Sequence, residues 1–311
     1  MGRRCTGLTL VELMVSVTLT GMLCLALATL AVLGQRAYLA DVALARLHEN
    51  GRLALRVLQR ELSMAGYLGW AEPAMVSSDV AGAPCFEALT GPLPAILHYD
   101  DLTGDGRSLA GASLPAACRR AAHYQAGSDA LLLRRVADTP DVLRGNLQQP
   151  LIDAGTYLRL ASDARLVSGA EAGIAGATVW RYRPVLLYVR DYSLRPGDGI
   201  PALCRLRLSP GRFDVAPTEC LLEGLEMLQV EFGVDGDGDR RADRYVSVLA
   251  EGDAPVLARI SVLMRSTSHA GSTVQPRSYQ LGMRSYAAPD RRQRLLLSTT
   301  VLLRNAGALR G

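Results

Sequence analysis

The chain has 311 residues, more than one compact core usually holds, so one large or two modest domains are expected. Hydrophobic residues at 49% and charged residues at 21% exclude a disordered or fibrous chain. The net charge of +4 comes from 34 basic residues, all of them Arg, against 30 acidic ones, too small an excess to announce nucleic-acid binding.

The first element is an apolar run. Met1 to Gly7 is short and polar, with Arg3 and Arg4 as its charges, and Leu8 to Gly34 then carries a single charged residue, Glu12. As a helix this run would be about 40 Å long, enough to cross a hydrocarbon layer of about 30 Å. The two arginines upstream place that end in the cytoplasm. A secretory signal has a shorter apolar region, followed by a small-residue cleavage site. Here the small residue, Gly7, precedes the run, so the segment is kept. A carboxylate five residues into such a run is costly unless it snorkels, is protonated or meets a cation. Glu12 is therefore either an interfacial residue of an ordinary signal anchor or half of a charge pair.

The string Gly7-Leu8-Thr9-Leu10-Val11-Glu12-Leu13, behind its basic leader, resembles the class III signal of type IV pilins and pseudopilins. That resemblance implies removal of residues 1–7 by a prepilin peptidase cutting between Gly7 and Leu8, then methylation of the new amine on Leu8. It implies that Glu12 neutralises the N-terminal ammonium of a neighbouring subunit, which suits a buried charge in need of a partner. The family usually has Phe where this chain has Leu8.

The helix is expected to run on to Ala65, since no proline occurs before Pro73. Beyond Gly34 an apolar stripe at steps of three and four runs Leu39, Ala43, Leu47, Gly51, Ala54, Leu58, Leu62, Ala65, with Gly66 placed as a C-terminal glycine. Residues 8–34 thus form a membrane or filament-core segment, and residues 35–66 an amphipathic continuation lying against a globular domain. The runs 45–54 and 61–69, together with the tail 294–305, are similar to PilW-type minor pilins.

The head, residues 67–311, reads as mainly antiparallel β-structure. From Tyr67 to Gln149 few strong elements stand out beyond a strand at Asp129–Val136. After that, β-patterned runs recur at Thr178–Val189, Cys204–Leu208, Met227–Val234, Arg244–Leu249, Arg259–Arg265, Arg277–Arg284 and Leu295–Leu303, with no long helical patterns between them. The fold class is α+β, a long N-terminal helix packed on this β-rich head.

Of six cysteines, Cys5 leaves with the leader and Cys24 lies in the apolar helix, so Cys85, Cys118, Cys204 and Cys220 remain in the head. An even number in an exported domain points to two disulfides among three pairings. Cys85–Cys118 and Cys204–Cys220 are favoured because each joins neighbours in sequence. No C-x-x-C, nucleophile-elbow, P-loop or Rossmann motif occurs, and His48, His98, His123 and His269 are scattered, so no enzymatic activity is expected. Arg291, Arg292 and Arg294 are either a contact for DNA, lipid or acidic partners or, more simply, a solvated strand start.

Asp235-Gly236-Asp237-Gly238-Asp239-Arg240-Arg241-Ala242-Asp243 puts carboxylates at loop positions 1, 3, 5 and 9, the opening pattern of a calcium loop. Arg240 stands where the turn glycine belongs, Val246 where the bidentate Glu belongs, and the flanks read as strands. Two readings stay open: a calcium-binding hairpin loop through Asp235, Asp237, Asp239 and Asp243, or an Asp/Gly turn whose acids Arg240, Arg241 and Arg244 neutralise.

The PilW resemblance implies a minor pilin that primes type IV pilus assembly and sits at the pilus tip. Its implied partners are other minor pilins, the major pilin, the prepilin peptidase and the inner-membrane assembly platform. It implies a single-pass inner-membrane protein with a periplasmic head, later part of a cell-surface pilus. A minor pseudopilin of a type II secretion system shares the leader and spine, and a tip adhesin or DNA-binding module is the reading from another class.

Overall fold

A computed structural model describes residues 9–68, 76–78, 84–90, 94–110, 114–119, 123–139, 147–152, 156–160, 180–209, 215–250, 252–267 and 277–305. The spine is α1 (Leu10–Met64), a 55-residue helix that passes Gly34 without a break. Thr9 caps its start, and Gly66 follows the Ala65 cap at φ 77°, a conformation that costs glycine little. Burial starts late: Leu47, Gly51, Ala54, Leu58 and Leu62 are buried, whereas Leu39 of the same stripe stays exposed.

The head elements follow in chain order: β1 (Val76–Ser78), α2 (Pro84–Thr90), β2 (Ile96–Leu102), β3 (Ser108–Ala110), α3 (Ala116–Arg119), β4 (Ser128–Leu133), β5 (Leu147–Ile152) and β6 (Thr156–Leu160). Then come β7 (Trp180–Arg181), β8 (Val185–Arg190), β9 (Ala202–Arg207), β10 (Glu219–Glu223), β11 (Leu225–Asp235) and β12 (Arg244–Val246). The chain closes with β13 (Ala254–Arg265), β14 (Ser278–Leu281), β15 (Arg284–Ala287) and β16 (Arg294–Leu302).

They form a six-stranded sheet in the order β10-β9-β8-β4-β2-β3, a four-stranded sheet β12-β11-β13-β16, a second four-stranded sheet β1-β6-β5-β7 and the hairpin β14-β15. Every pairing among them is antiparallel except β1 with β6, so the α+β class with a mainly antiparallel head holds.

Several boundaries differ from the sequence expectation for local reasons. The run 178–189 divides into β7 and β8 around Arg183-Pro184, because a proline cannot donate to a ladder. The run 277–284 turns back on itself at Gly282, φ 58°, to make the β14–β15 hairpin. Arg244–Leu249 shortens to the three residues of β12. The segment before Gln149, read as nearly featureless, holds β2, β3, α2 and α3.

One core lies between α1, the four-stranded sheet of β11 and one face of the six-stranded sheet; it joins Leu58 and Leu62 to Leu131, Leu187, Val230, Ile260 and Val262. At Gly51 helix and sheet approach too closely for a Cβ, which would run into the Leu297 side chain. A second core fills the other face of the six-stranded sheet with Phe86, Leu89, Tyr99, Leu132 and Leu186. There Arg134, 5% exposed, donates to the carbonyls of Ala88, Leu89 and Pro94 and so satisfies the end of α2.

Candidate functional site

Three features set out by the sequence can be placed: the start of α1, the cysteines and the aspartate loop. Gly7 and Leu8 lie outside the described residues, as does His269.

Thr9 and Glu12 form a reciprocal cap. The Thr9 hydroxyl accepts from Glu12 N at 3.3 Å, while Glu12 Oε2 accepts from Thr9 N and from the Thr9 hydroxyl, each at 2.9 Å. In a lone chain the carboxylate is thus folded back on its own helix end, where the helix dipole favours it. Along the next turns Leu10 is 75% exposed, Met22 71% and Leu25 69%, so none of the described residues covers this segment. Among the described residues this is the one helix long and apolar enough to cross a membrane.

The far half of the helix is held by polar ties as well as by the core. Glu61 takes a two-pronged contact from Arg135, at 2.9 and 3.2 Å. Gln59 donates to Thr299 at 2.8 Å, and Asn305 donates to the carbonyl of Ala65 at 3.1 Å. The head therefore grips α1 from Leu47 to Ala65 and leaves everything before that free to meet other molecules.

Disulfides join Cys85 to Cys118 and Cys204 to Cys220, and Cys24 is the free cysteine among the described residues. The first ties α2 to α3; the second ties β9 to β10 across directly paired positions. The C-terminal arginines do not form a basic patch. Arg294 is buried and bonds both oxygens of Glu226, at 2.5 and 2.9 Å, while Asp290 faces Arg292 and Arg294.

The aspartate loop joins β11 to β12 at the same end of the head as the end of α1 and of β16. Carboxylate oxygens of Asp235, Asp237 and Asp239 lie within 4.8 Å of one another. Gly238 and Arg240 take positive φ, 89° and 67°, so Arg240 adopts the conformation the missing glycine would have supplied. Asp235 accepts from the amides of Gly238, Arg240 and Asp237, which hold its carboxyl below the usual range. Asp243 turns away from the trio to accept from Gly236 N at 2.7 Å. Of the arginines set against a cation, Arg244 bonds Asp253 at 2.6 Å and Arg241 reaches Asp239 only at 3.9 Å.

The structure also brings together residues that the sequence left apart. His98 and Asp100, two apart on β2, meet Asp129 from β4. The signal was present as an H-x-D pair on one strand face, but its partner lies 31 residues away and no local pattern announces it.

The family model described as Type IV Pilus-assembly protein W, PilW, matches residues 188–305, and the prokaryotic N-terminal methylation motif matches residues 2–28. No curated protein gives a significant match. Among solved structures the chain is similar to a type IV-like pilin from Thermus thermophilus, at 15% identity over 84% of this chain and 98% of that one, with a TM-score of 0.36.

Proposed function

We propose that this PilW-type type IV pilin works as a minor pilin that primes pilus assembly and caps the pilus tip. The observation that carries the reading is the division of α1, its later half gripped by the head and its stretch up to Gly34 apolar but for Glu12 and left uncovered by the described residues. Such a segment needs lipid or neighbouring helices, and a filament core of like segments supplies the second once the membrane has supplied the first.

In this reading the leader is removed between Gly7 and Leu8, the Leu8 amine is methylated, and Glu12 exchanges its own helix cap for the ammonium of the adjoining subunit. The head sits in the periplasm before assembly and on the cell surface afterwards. The paired cysteines Cys85, Cys118, Cys204 and Cys220 suit that oxidising compartment.

Deletion of the gene should abolish or sharply reduce surface pili. The full-length chain should co-purify with other minor pilins and be found at one end of sheared fibres. Normal piliation with a loss of protein secretion would instead support the pseudopilin of a type II system.

A further inference from the structure

We propose that His98, Asp100 and Asp129 form a binding site for a divalent transition metal of the zinc type, at the seam between the two main sheets. One ring nitrogen of His98 and one carboxylate oxygen from each aspartate lie within 4.8 Å of one another. Imidazole with two carboxylates is a donor set for zinc or its neighbours in the first transition row, and the nitrogen disfavours calcium and magnesium. Tetrahedral zinc spaces its ligands about 3.3 Å apart, so the group closes with a side-chain movement of about 1 Å.

The surroundings are arranged as ligand support. Asp129 is fully buried, and its Oδ1 accepts from Asp101 N and Gln229 Nε2, each at 3.0 Å. Its Oδ2 accepts from Val230 N at 2.8 Å and faces His98 Nε2 at 2.9 Å. Carboxylates that bind metals are oriented by such outer hydrogen bonds. The His98 side chain is 3% exposed and rests edge-on against Phe232, centroids 5.4 Å apart.

The His98–Asp129 contact alone leaves one thing unexplained. Three carboxylates, Asp100, Asp101 and Asp129, crowd the seam against Arg284, which pairs with Asp101, and His98. Among the described residues nothing hydrogen-bonds the Asp100 carboxylate, which lies partly buried in the cluster with Asp129 and His98. A divalent ion would supply the missing positive charge. Asp100, partly exposed, gives it a way in.

The test uses the full-length chain without a tag, purified in detergent and titrated with zinc by calorimetry and by thermal melting. One saturable site is expected that raises Tm, resists millimolar calcium and survives in an Asp237→Ala/Asp239→Ala chain. Asp100→Asn and His98→Gln should each weaken it at least tenfold, and Asp100→Asn alone carries the test where His98→Gln does not fold. Cobalt(II) should give visible absorption bands that Asp100→Asn removes. No saturable zinc site in the wild-type chain, or unchanged affinity in Asp100→Asn, overturns the proposal.

Discussion

Within α1, Leu19 is 61% exposed and Leu58 is not exposed at all, although both are leucines on one unbroken helix. Leu58 shares a buried core with Ile260, Val262 and Val301 of the chain's own sheet. Around Leu19 the described residues supply no such neighbours. Covering a leucine is worth about 1.5–3 kcal/mol, so the first half of the helix carries a large unmet demand for apolar surroundings. Lipid meets that demand as well as another helix does. The hydrophobic effect therefore keeps this half out of water but does not choose a filament over a bilayer. In the proposed function the choice falls to the charged group in the segment, Glu12, whose carboxylate would distinguish a site with a cation from one without.

The sharpest way to break this division is Glu12→Ala. In the proposed reading the peptidase cuts at Gly7–Leu8, so cleavage should continue, and the head should melt as in the wild type. Recovery in sheared pili should fall at least tenfold, because a neighbour's ammonium would enter an apolar core unpaired. Wild-type recovery of the variant in sheared pili would remove Glu12 from the mechanism.

The two halves should also separate by their leucines. Leu58→Ala opens a cavity between helix and sheet and should cost the head about 2–5 kcal/mol, lowering its Tm by about 5–15 °C. Leu19→Ala should leave the head's melting curve in place, since it removes no contact of the folded domain. Equal shifts for the two variants in thermal melts would show that the halves are not separate.

Much of this architecture was legible because it is periodic. The apolar run and the stripe from Leu47 to Ala65 repeat at helical spacing, and β9, β11, β13 and β16 alternate or run long enough to stand out. The stripe read too far toward the N-terminus, because Leu39 has the right spacing but no sheet beside it. The first half of the head was illegible for the opposite reason. In β2, Asp101 takes φ 47° at a bulge, which breaks the alternation, and its polar side chains face a buried seam rather than water. The seven residues of α2 are too few for a period and depend on Arg134 and on Cys118. Glu12 was readable as a lone charge in apolar surroundings, whereas His98 acquires its meaning only from Asp129 on the neighbouring strand.

Inside the head, the next effect in size concerns the disulfides. Cys204–Cys220 closes a loop with a sequence separation of 16, for which chain entropy gives about 3 kcal/mol. Cys204→Ser/Cys220→Ser should lower the head's Tm by about 6–12 °C while leaving insertion of α1 in the membrane unaffected. A Tm within 1 °C of the wild type would show that the antiparallel ladder of β9 and β10 needs no such link.

The smallest expected effect belongs to the aspartate loop, and it follows from how that loop is already built. Backbone amides of Gly238, Arg240 and Asp237 hold Asp235 in place without any ion, so the loop keeps its shape in a chelator and the head stays folded. What they do not remove is the repulsion among Asp235, Asp237 and Asp239; Arg244 pairs with Asp253 instead, and Arg241 reaches Asp239 only at 3.9 Å. Calcium is expected to bind here with the modest affinity of extracellular sites, a Kd of about 0.1–1 mM. At about 5 mM calcium, linkage then adds about 1–2 kcal/mol, a rise of a few degrees in Tm. Asp237→Ala/Asp239→Ala should abolish the rise while changing the melt in chelator little. Superimposable melting curves in chelator and in millimolar calcium would identify the loop as a self-sufficient turn, with its amides as the only partners its carboxylates require.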